Sequence, residues 1–380
     1  MSKPRKLTDK IKPTFSKGGK FSFLHSTFEA FESFLFVPDT VTRKGVHVRD
    51  SVDLKRVMTV VMIALVPSLL FGIYNIGYQH NLAANAGMEF WEMVWFGFLK
   101  ILPLYLVSYI VGLGIEFASA QLRGHEVNEG YLVTGLIIPL IIPVTTPLWM
   151  LTLAVAFAVI IGKEIFGGTG MNIWNPALLA RAFLFFAYPS HISGDEVWVA
   201  GVDGFSGATP LAQTSEGLSS LHYSVSDMFF GFIPGSVGET STLAILLGAA
   251  ILIYTGIGSW KIMLSTVAGG LVMGLIANLA APSADCAMAI PAWYHLIMGG
   301  FAFGAVFMAT DPVTSAQTES GKWIYGFLIG VLAVIIRLFN PGYPEGMMLA
   351  ILLMNTFAPL IDHIVVGRNI KRRLKRAKTV

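Results

Sequence analysis

Ten apolar segments divide this 380-residue sequence, and they constrain its fold more than any other feature. They run over residues 57–76, 96–117, 131–142, 147–161, 176–188, 242–257, 262–281, 293–309, 323–339 and 346–365. Most approach or exceed the length that crosses a bilayer core of about 30 Å as an α-helix. Backbone groups in lipid must be paired within the protein, so the pattern predicts an all-α integral membrane protein with about ten transmembrane helices.

The composition excludes several other classes of protein. Apolar residues make up 54% of the chain and charged residues 13%, whereas a soluble domain has about 25% charged residues. With a net charge of only +3, the chain is not expected to be disordered or to bind nucleic acid. One cysteine, Cys286, is too few for a disulfide framework or for the roughly four ligands of an iron–sulfur cluster.

Positive charge is concentrated at the two ends of the chain. Residues 1–56 hold 12 of the 26 Lys and Arg residues, and residues 368–378 hold 7. The positive-inside rule therefore predicts that both termini are cytoplasmic, which agrees with an even number of spans. The stretch 189–241 has six acidic residues and no Lys or Arg, so it is expected on the opposite face. Lys100 and Arg337 are minor exceptions to this scheme.

The basic N-terminal segment contains a helical stripe of apolar residues rather than a signal peptide. Leu24, Phe28, Phe31 and Leu35 have spacings of four, three and four, which places them on one face of a helix. This pattern predicts an amphipathic helix at the membrane interface or against a partner. Docking of the same stripe onto the protein's own spans is an equal alternative.

Three short motifs occur twice in the same order and indicate an internal repeat. They are Pro143-Val144-Thr145 with Pro312-Val313-Thr314, Asn175-Pro176 with Asn340-Pro341, and Tyr188-Pro189 with Ala358-Pro359, the last pair closing a span in each half. Each half would contain five spans, an odd number, so the two halves are expected to have inverted topology. The fold class predicted is therefore two inverted five-span repeats with a urea-transporter-like architecture.

These observations divide the chain into five parts. They are a basic cytoplasmic segment with an amphipathic helix (1–56), a first repeat (57–188), an external loop (189–241), a second repeat (242–366) and a basic cytoplasmic tail (367–380).

The third apolar segment is too short to cross the bilayer. It has 12 residues before Pro143, and at 1.5 Å per residue a helix of that length covers little more than half of the core. It is interpreted as a half-helix, with its counterpart ending at Thr310-Asp311-Pro312. A broken backbone at membrane depth is tolerated only where it is buried in protein or lines a polar cavity.

Ionisable residues within or near the spans are few, namely Glu116, Arg181, Asp311, Arg337 and Asp362. Such residues are either functional or form structural ion pairs and snorkelling contacts. Asp311 is the strongest functional candidate because it lies at a helix break beside Thr310 and Thr314. A carboxylate with hydroxyls and free carbonyls could hold a hard monovalent cation. Asp362 is nearer the cytoplasmic end, which favours a structural role.

A glycine-rich segment between two spans, residues 167–176, carries two asparagines. Asn172 and Asn175 offer both hydrogen-bond donors and acceptors, which would suit a heterocycle with imide edges. The alternative is a flexible turn followed by an Asn-Pro helix start.

With these residues in view, the sequence resembles the NqrB/RnfD family, and in particular the NqrB-type subunits of the sodium-translocating NADH:quinone oxidoreductases. The segments that carry the resemblance follow the family order and are His125-Glu126-Val127-Asn128-Glu129-Gly130, residues 163–170, residues 175–183, Ser206-Gly207-Ala208-Thr209, Asp311-Pro312-Val313-Thr314, and residues 343–348 leading to Asp362-His363.

The resemblance implies a flavoprotein subunit of a six-subunit respiratory pump in the bacterial inner membrane, an NADH:ubiquinone reductase that exports Na⁺. Its partners would be the five other subunits, quinone, Na⁺ and the lipid bilayer, with no nucleic acid. It implies covalent FMN on Thr209, within the motif of Ser206 and Gly207. It also implies a non-covalent riboflavin, for which Asn172 and Asn175 are the candidate ligands.

The same resemblance assigns the membrane acids. It connects Asp311, Asp362 and Glu116 with sodium uptake, and it places Gly112 and Glu116 in a quinone-linked segment, where Leu113 stands in place of a second glycine. No catalytic residue is assigned to this chain. No dinucleotide-binding fold fits among ten spans and one loop, so NADH is expected to react on a partner.

Two other functions remain open. The homologous RnfD protein of the Rnf complex, a ferredoxin:NAD⁺ oxidoreductase, shares the flavinylated Thr and the Asp-Pro-Val-Thr segment, although the long basic N-terminus favours the sodium-pumping quinone reductase. A solute channel with urea-transporter-like architecture is the second alternative. Such a channel would carry no flavin.

Overall fold

The structure, a computed structural model, contains helices as its only regular secondary structure in the part of the chain that it describes. That part comprises residues 3–15, 19, 21, 28, 32, 42, 44–46, 54–123, 130–202, 205, 207–340, 342 and 345–377. No strand occurs among these residues, which confirms the all-α prediction. Ser206, residues 125–129 and most of the predicted stripe around Phe28 lie outside the described residues.

Fourteen α-helices are used below to locate the site. They are α1 (Lys3–Phe15), α2 (Leu54–Ala84), α3 (Phe90–Arg123), α4 (Gly130–Ile141), α5 (Leu148–Ile160), α6 (Pro176–Ala187), α7 (Pro210–Glu216), α8 (Val225–Phe230), α9 (Thr242–Tyr254), α10 (Trp260–Ala280), α11 (Tyr294–Ile297), α12 (Phe301–Phe303), α13 (Glu319–Phe339) and α14 (Met347–Ala377). A π-helix, Gly304–Met308, continues α12.

Within the described residues, six helical segments are long and apolar enough to cross a membrane. They are α2, α3, Leu148–Phe166 (which contains α5), α10, α13 and α14. The apolar helices α4, α6 and α9 have only 12 or 13 residues each. These lengths are consistent with an integral membrane protein, and the helix before Pro143 has the predicted length of 12 residues.

The eighth predicted segment, 293–309, is not one helix. It consists of α11, a turn in which Gly299 has a left-handed φ of 60°, and then α12 with the π-helix. The turn is fixed by Arg337, whose guanidinium donates hydrogen bonds to the carbonyls of His295 (2.5 Å) and Met298 (2.9 Å). The second half-helix is therefore Phe301–Met308 and ends just before Thr310, as predicted.

Two of the repeat motifs do not mark equivalent positions. Pro359 lies inside α14, a helix of 31 residues that continues to Ala377, so the prediction that a span closes there is wrong. Membrane helices tolerate an internal proline because neighbouring groups satisfy the freed carbonyl. Asn175 starts α6, whereas Asn340 follows the end of α13. The basic tail, predicted as a separate part, is helical through Ala377.

The end of the predicted external loop 189–241 is buried against α4 and does not lie on the surface. Gly238 N donates to the carbonyl of Leu140 (2.8 Å), and Ser236 Oγ donates to that of Ile141 (3.3 Å). The last carbonyls of a helix have no partner within the helix, and at membrane depth they cannot be left unpaired. The loop is drawn inward because the broken helix needs these donors.

Candidate functional site: two polar pockets

Two polar pockets lie at opposite ends of α9. The first, named the amide pocket, encloses about 780 Å³ including its mouth. The start of α2, the start of α4 and the end of α9 contribute to its walls, and its polar lining includes Lys163, Thr169, Asn172, Asn175 and Asp311. The structure thus brings together three residues that the sequence analysis proposed for two separate purposes.

Asn175 links the start of α6 to the break in the second half of the chain. Its Oδ1 accepts hydrogen bonds from the backbone N–H groups of Ala177 (3.0 Å) and Leu178 (3.4 Å), with Pro176 at the first helical position. The predicted Asn-Pro helix start is confirmed. Capping uses only the oxygen, so the Nδ2 group is free to donate to Asp311 Oδ2 at 3.3 Å.

Asp311 is held by local donors. Besides Asn175, its carboxylate accepts hydrogen bonds from the backbone N–H of Val313 (3.1 Å) and from Thr314 Oγ1 (3.0 Å). Thr310 Oγ1 instead donates to the carbonyl of Val306. Asp311 therefore contacts Thr314 as predicted, whereas the Thr310 hydroxyl donates its hydrogen to a carbonyl of the preceding helical turn.

Asn172 sits in a tightly turned segment. Gly167, Gly168 and Gly170 have φ values of 119°, 96° and 93°, a left-handed region that side chains rarely adopt. This conformation explains the glycine-rich sequence and folds the segment back over the pocket. Asn172 is buried, and its Nδ2 donates to the carbonyl of Trp174 (3.0 Å), which leaves its oxygen and second N–H for a bound molecule.

Glu116 forms a buried ion pair that the sequence analysis missed. Lys163 Nζ donates to Glu116 Oε1, and the exposed fractions are 2% for Lys163 and 4% for Glu116. The adjacent Glu164 accepts a hydrogen bond from Ser119 Oγ (2.5 Å), while Arg123 donates to its carbonyl (2.7 Å). The sequence signal was a lone lysine close to a span end in an almost uncharged stretch.

Two other predicted site residues have structural contacts and do not line the amide pocket. Gly112 packs on the Tyr131 ring so closely that a Cβ at this position would lie 1.8 Å from Tyr131 Cζ. Asp362 accepts hydrogen bonds from the backbone N–H groups of Gln317 (2.7 Å) and Thr318 (2.9 Å), and from Thr318 Oγ1 (2.5 Å). Asp362 thus anchors the start of α13.

The second pocket, named the Thr209 pocket, encloses about 950 Å³ including its mouth. Thr209 lines it and caps α7, because its Oγ1 accepts a hydrogen bond from Ala212 N at 3.2 Å. Gly207 N donates to the carbonyl of Asp195 (2.8 Å), which fixes the approach to Thr209. Gly207 itself is buried beside the pocket wall formed by Asp195.

A buried arginine lies deeper in the Thr209 pocket. Arg181 NH1 donates to Glu239 Oε1 (2.7 Å), and its NH2 group contacts Glu345 and Ser236 Oγ (3.5 Å). The two glutamates were not singled out from the sequence as its partners. Arg337 also donates hydrogen bonds inside the protein, including one to the carbonyl of Glu345 (3.1 Å). It therefore has a structural role in the interior and is not a charge in a loop.

The two pockets differ in the chemistry they offer. The amide pocket presents amides, an ammonium and one carboxylate, which can match the donor and acceptor edges of a planar heterocycle. The Thr209 pocket presents a hydroxyl near charged groups. Among the described residues, no three His, Cys, Asp or Glu side chains form a metal cluster, so a cation at Asp311 would rely on hydroxyl and carbonyl oxygens.

The chain matches known proteins over almost its whole length. The model of the NQR2, RnfD, RnfE family matches residues 41–371. A protein of Chromohalobacter salexigens is 48% identical over 98% of this chain and 96% of its own length. Proteins of Pseudomonas aeruginosa and Azotobacter vinelandii are 46% and 47% identical over 98% of this chain and 99% of their own lengths. All three are named as the B subunit of the Na⁺-translocating NADH-quinone reductase.

Proposed function

Since the chain belongs to the NQR2, RnfD, RnfE family, we propose that it is the B subunit of a Na⁺-translocating NADH-quinone reductase. The observation that carries this proposal is the similarity to proteins of that name over 98% of the chain, which includes the basic N-terminal segment. That similarity favours the quinone reductase over an RnfD protein. It also disfavours a solute channel, which would share the membrane architecture but not the redox function.

The proposed topology is ten crossing or half-crossing segments in two inverted repeats, with both termini on the cytoplasmic side of the bacterial inner membrane. Several packing relationships support it. The first helices of the two halves, α2 and α9, pack on each other, and the pairs α5–α6 and α13–α14 pack in the same way. Gly112 of α3 packs on Tyr131 at the start of α4, and Gly270 of α10 packs on Phe301 at the start of α12.

The five parts of the chain keep their predicted boundaries in this proposal, with two additions. The external part, 189–241, carries the Thr209 pocket on one side and sends its last residues into the membrane region. The tail, 367–380, begins as a continuation of α14.

Thr209 is proposed to hold FMN through a phosphoester on its hydroxyl, with Ser206 and Gly207 completing the attachment motif. The support is that Thr209 lies in the wall of an open polar pocket. The flavin would supply electron transfer. The protein's own contribution is to fix the attachment point through the α7 cap and to keep Arg181 as a buried positive charge beside Glu239 and Glu345.

The amide pocket is proposed to hold riboflavin without a covalent bond. Asn172 and Asn175 would contact its imide edge, with Lys163 beside them. The two amides would orient the ring through directed hydrogen bonds. Electrons would then leave this chain toward quinone, for which the segment of Gly112 and Glu116 is the proposed contact.

Asp311, Glu116 and Asp362 are proposed to act in Na⁺ uptake. Asp311 is the best supported of the three because its carboxylate lines an accessible pocket at a helix break. Glu116 would have to exchange its contact with Lys163 for the ion, and Asp362 would act at the α13 anchor. The partners of the chain in this proposal are the other five subunits of the complex, quinone and the lipid bilayer.

The function is tested in membranes from the native host with and without the gene for this chain. The wild-type membranes should reduce quinone with NADH in a reaction that Na⁺ stimulates, and they should show a fluorescent flavin band near 41.2 kDa in denaturing gels. The proposal is supported if deletion of the gene abolishes both the Na⁺-stimulated quinone reduction and the flavin band, and if complementation restores them. A ferredoxin-dependent activity would indicate an RnfD protein, and a band without flavin would indicate a channel.

A further inference from the structure

Lys163 brings a positive charge to the wall of the amide pocket. It follows α5, and its backbone N–H donates to the carbonyl of Val159 (3.2 Å), so its position is fixed by the end of that helix. The side chain is buried, yet it lines the pocket, whereas Glu116 does not. Lys163 therefore connects the pocket wall to the buried carboxylate of Glu116.

The Lys163 ammonium has more hydrogen-bond donors than it has acceptors among the described residues. A lysine ammonium has three donor hydrogens, and among the described residues Glu116 Oε1 is the only acceptor that Nζ contacts. The Tyr131 ring centroid lies 5.9 Å from Nζ and contributes a weak cation–π attraction. At least one donor is therefore available to a molecule in the pocket.

No second cation competes for this role in the described part of the pocket wall. Asp311 is the other ionisable lining residue, and its carboxylate is engaged by Asn175, Val313 and Thr314. Arg123 belongs to the same neighbourhood, but it contacts Glu164, does not line the pocket and is 44% exposed at its side chain. Lys163 is thus the basic residue of the described pocket wall, and Asp311 is its acidic residue.

We propose that Lys163 raises the reduction potential of the flavin bound in the amide pocket, with Glu116 as the opposing charge. This inference rests on the proposed function, because it presupposes a flavin in that pocket. One-electron reduction, with the electron supplied by NADH through the complex and released to quinone, adds one negative charge to the flavin. Inside a low-dielectric site, a neighbouring ammonium stabilises that charge and a neighbouring carboxylate destabilises it.

The test is a redox titration of the non-covalent flavin in the purified complex at fixed Na⁺ concentration. Lys163→Gln should shift the one-electron equilibrium toward the oxidised flavin by about tenfold, which corresponds to about 59 mV. Glu116→Gln should shift it in the opposite direction. Lys163→Arg, which keeps the charge, and Arg123→Gln, which removes a charge outside the pocket, should both stay near wild type.

Opposite shifts in the two neutralising variants support the proposal. A flavin that is retained with unchanged potential in Lys163→Gln would overturn it, as would shifts of the same sign in both variants. If Lys163→Gln fails to retain flavin, the Glu116→Gln variant, which keeps the ammonium, still decides the matter through its direction of shift. Failure of the underlying function looks different, because the wild-type complex would then release no riboflavin on denaturation.

Discussion

Asn175 donates a hydrogen bond to Asp311 over 3.3 Å and thereby joins the first half of the chain to the second. The same amide caps α6 through its oxygen. One side chain thus sets both the start of a helix and the orientation of a carboxylate at a break in the membrane region. Removing the whole Asn175 amide should affect stability and site geometry together, whereas Asn175→Asp and changes at Asp311 and Asn172 separate the two effects.

Asp311→Asn should weaken Na⁺ dependence while leaving flavin content unchanged. The amide keeps the shape of the side chain but removes the charge that a cation would need. Losing the only carboxylate at the break should raise the half-saturating Na⁺ concentration for quinone reduction by roughly tenfold, equivalent to one lost charged contact. Steady-state quinone reductase activity measured against Na⁺ concentration gives the value.

The comparison variants for Asp311→Asn are Asp362→Asn and Glu116→Gln, because neither Asp362 nor Glu116 lines the amide pocket. Unaltered Na⁺ dependence in Asp311→Asn, together with a shift in Asp362→Asn or Glu116→Gln, would place the ion elsewhere and leave Asp311 a structural role.

Thr209→Val should abolish covalent flavin on this chain. Valine has the same size but no hydroxyl to esterify, and it also removes the α7 cap, at a cost of about 1 kcal/mol. In-gel flavin fluorescence and intact-mass measurement give the readout. Ser215→Ala in the same helix is the control and should keep the adduct. Full fluorescence in Thr209→Val would reject Thr209 as the attachment point.

Asn172→Leu should lower the riboflavin content of the purified complex. The substitution removes the hydrogen bonds available to the pocket and should cost about 1–3 kcal/mol of binding free energy if the amide contacts the ligand. Flavin released by denaturation is quantified by chromatography.

The Asn175→Asp variant is a second test of whether these asparagines bind riboflavin. Aspartate preserves the helix cap but cannot donate to Asp311, so α6 should remain intact while the pocket changes. Unchanged riboflavin in both variants would mean that the segment serves only as a turn and a helix start.

The topology is tested by cysteine labelling with a membrane-impermeant reagent in intact cells. In a Cys286→Ser background, Ser215→Cys should be labelled from outside, because Ser215 is an exposed residue of the proposed external part. Arg373→Cys, in the exposed final turns of α14, should react only after the cells are permeabilised. Labelling of both positions in intact cells would contradict the ten-segment proposal.

Sequence reasoning succeeded where a local rule decides the structure. The two prolines of the Pro143–Pro147 segment made a break there predictable from the sequence, and α4 ends just before it at Ile141. Asn175 before Pro176 is likewise a local capping signal. Sequence reasoning failed where contacts between residues far apart in the chain decide the structure. The break before α12 depends on Arg337 contacting Met298, 39 residues away, and the Lys163–Glu116 pair spans 47 residues. The hydrophobic periodicity of a single segment carries no information about such contacts.

The hydrogen-bond donors that satisfy the last carbonyls of α4 have a consequence for biosynthesis. Ser236 contacts Ile141 from 95 residues further along the chain, so the half-helix emerges from the ribosome long before its final carbonyls can be paired. Until then, that end must be shielded by the insertion machinery or stay near the aqueous face. We expect the first half to reach its native depth only after residue 238 has been synthesised, which makes the first half and the part 189–241 a single cooperative unit of membrane insertion.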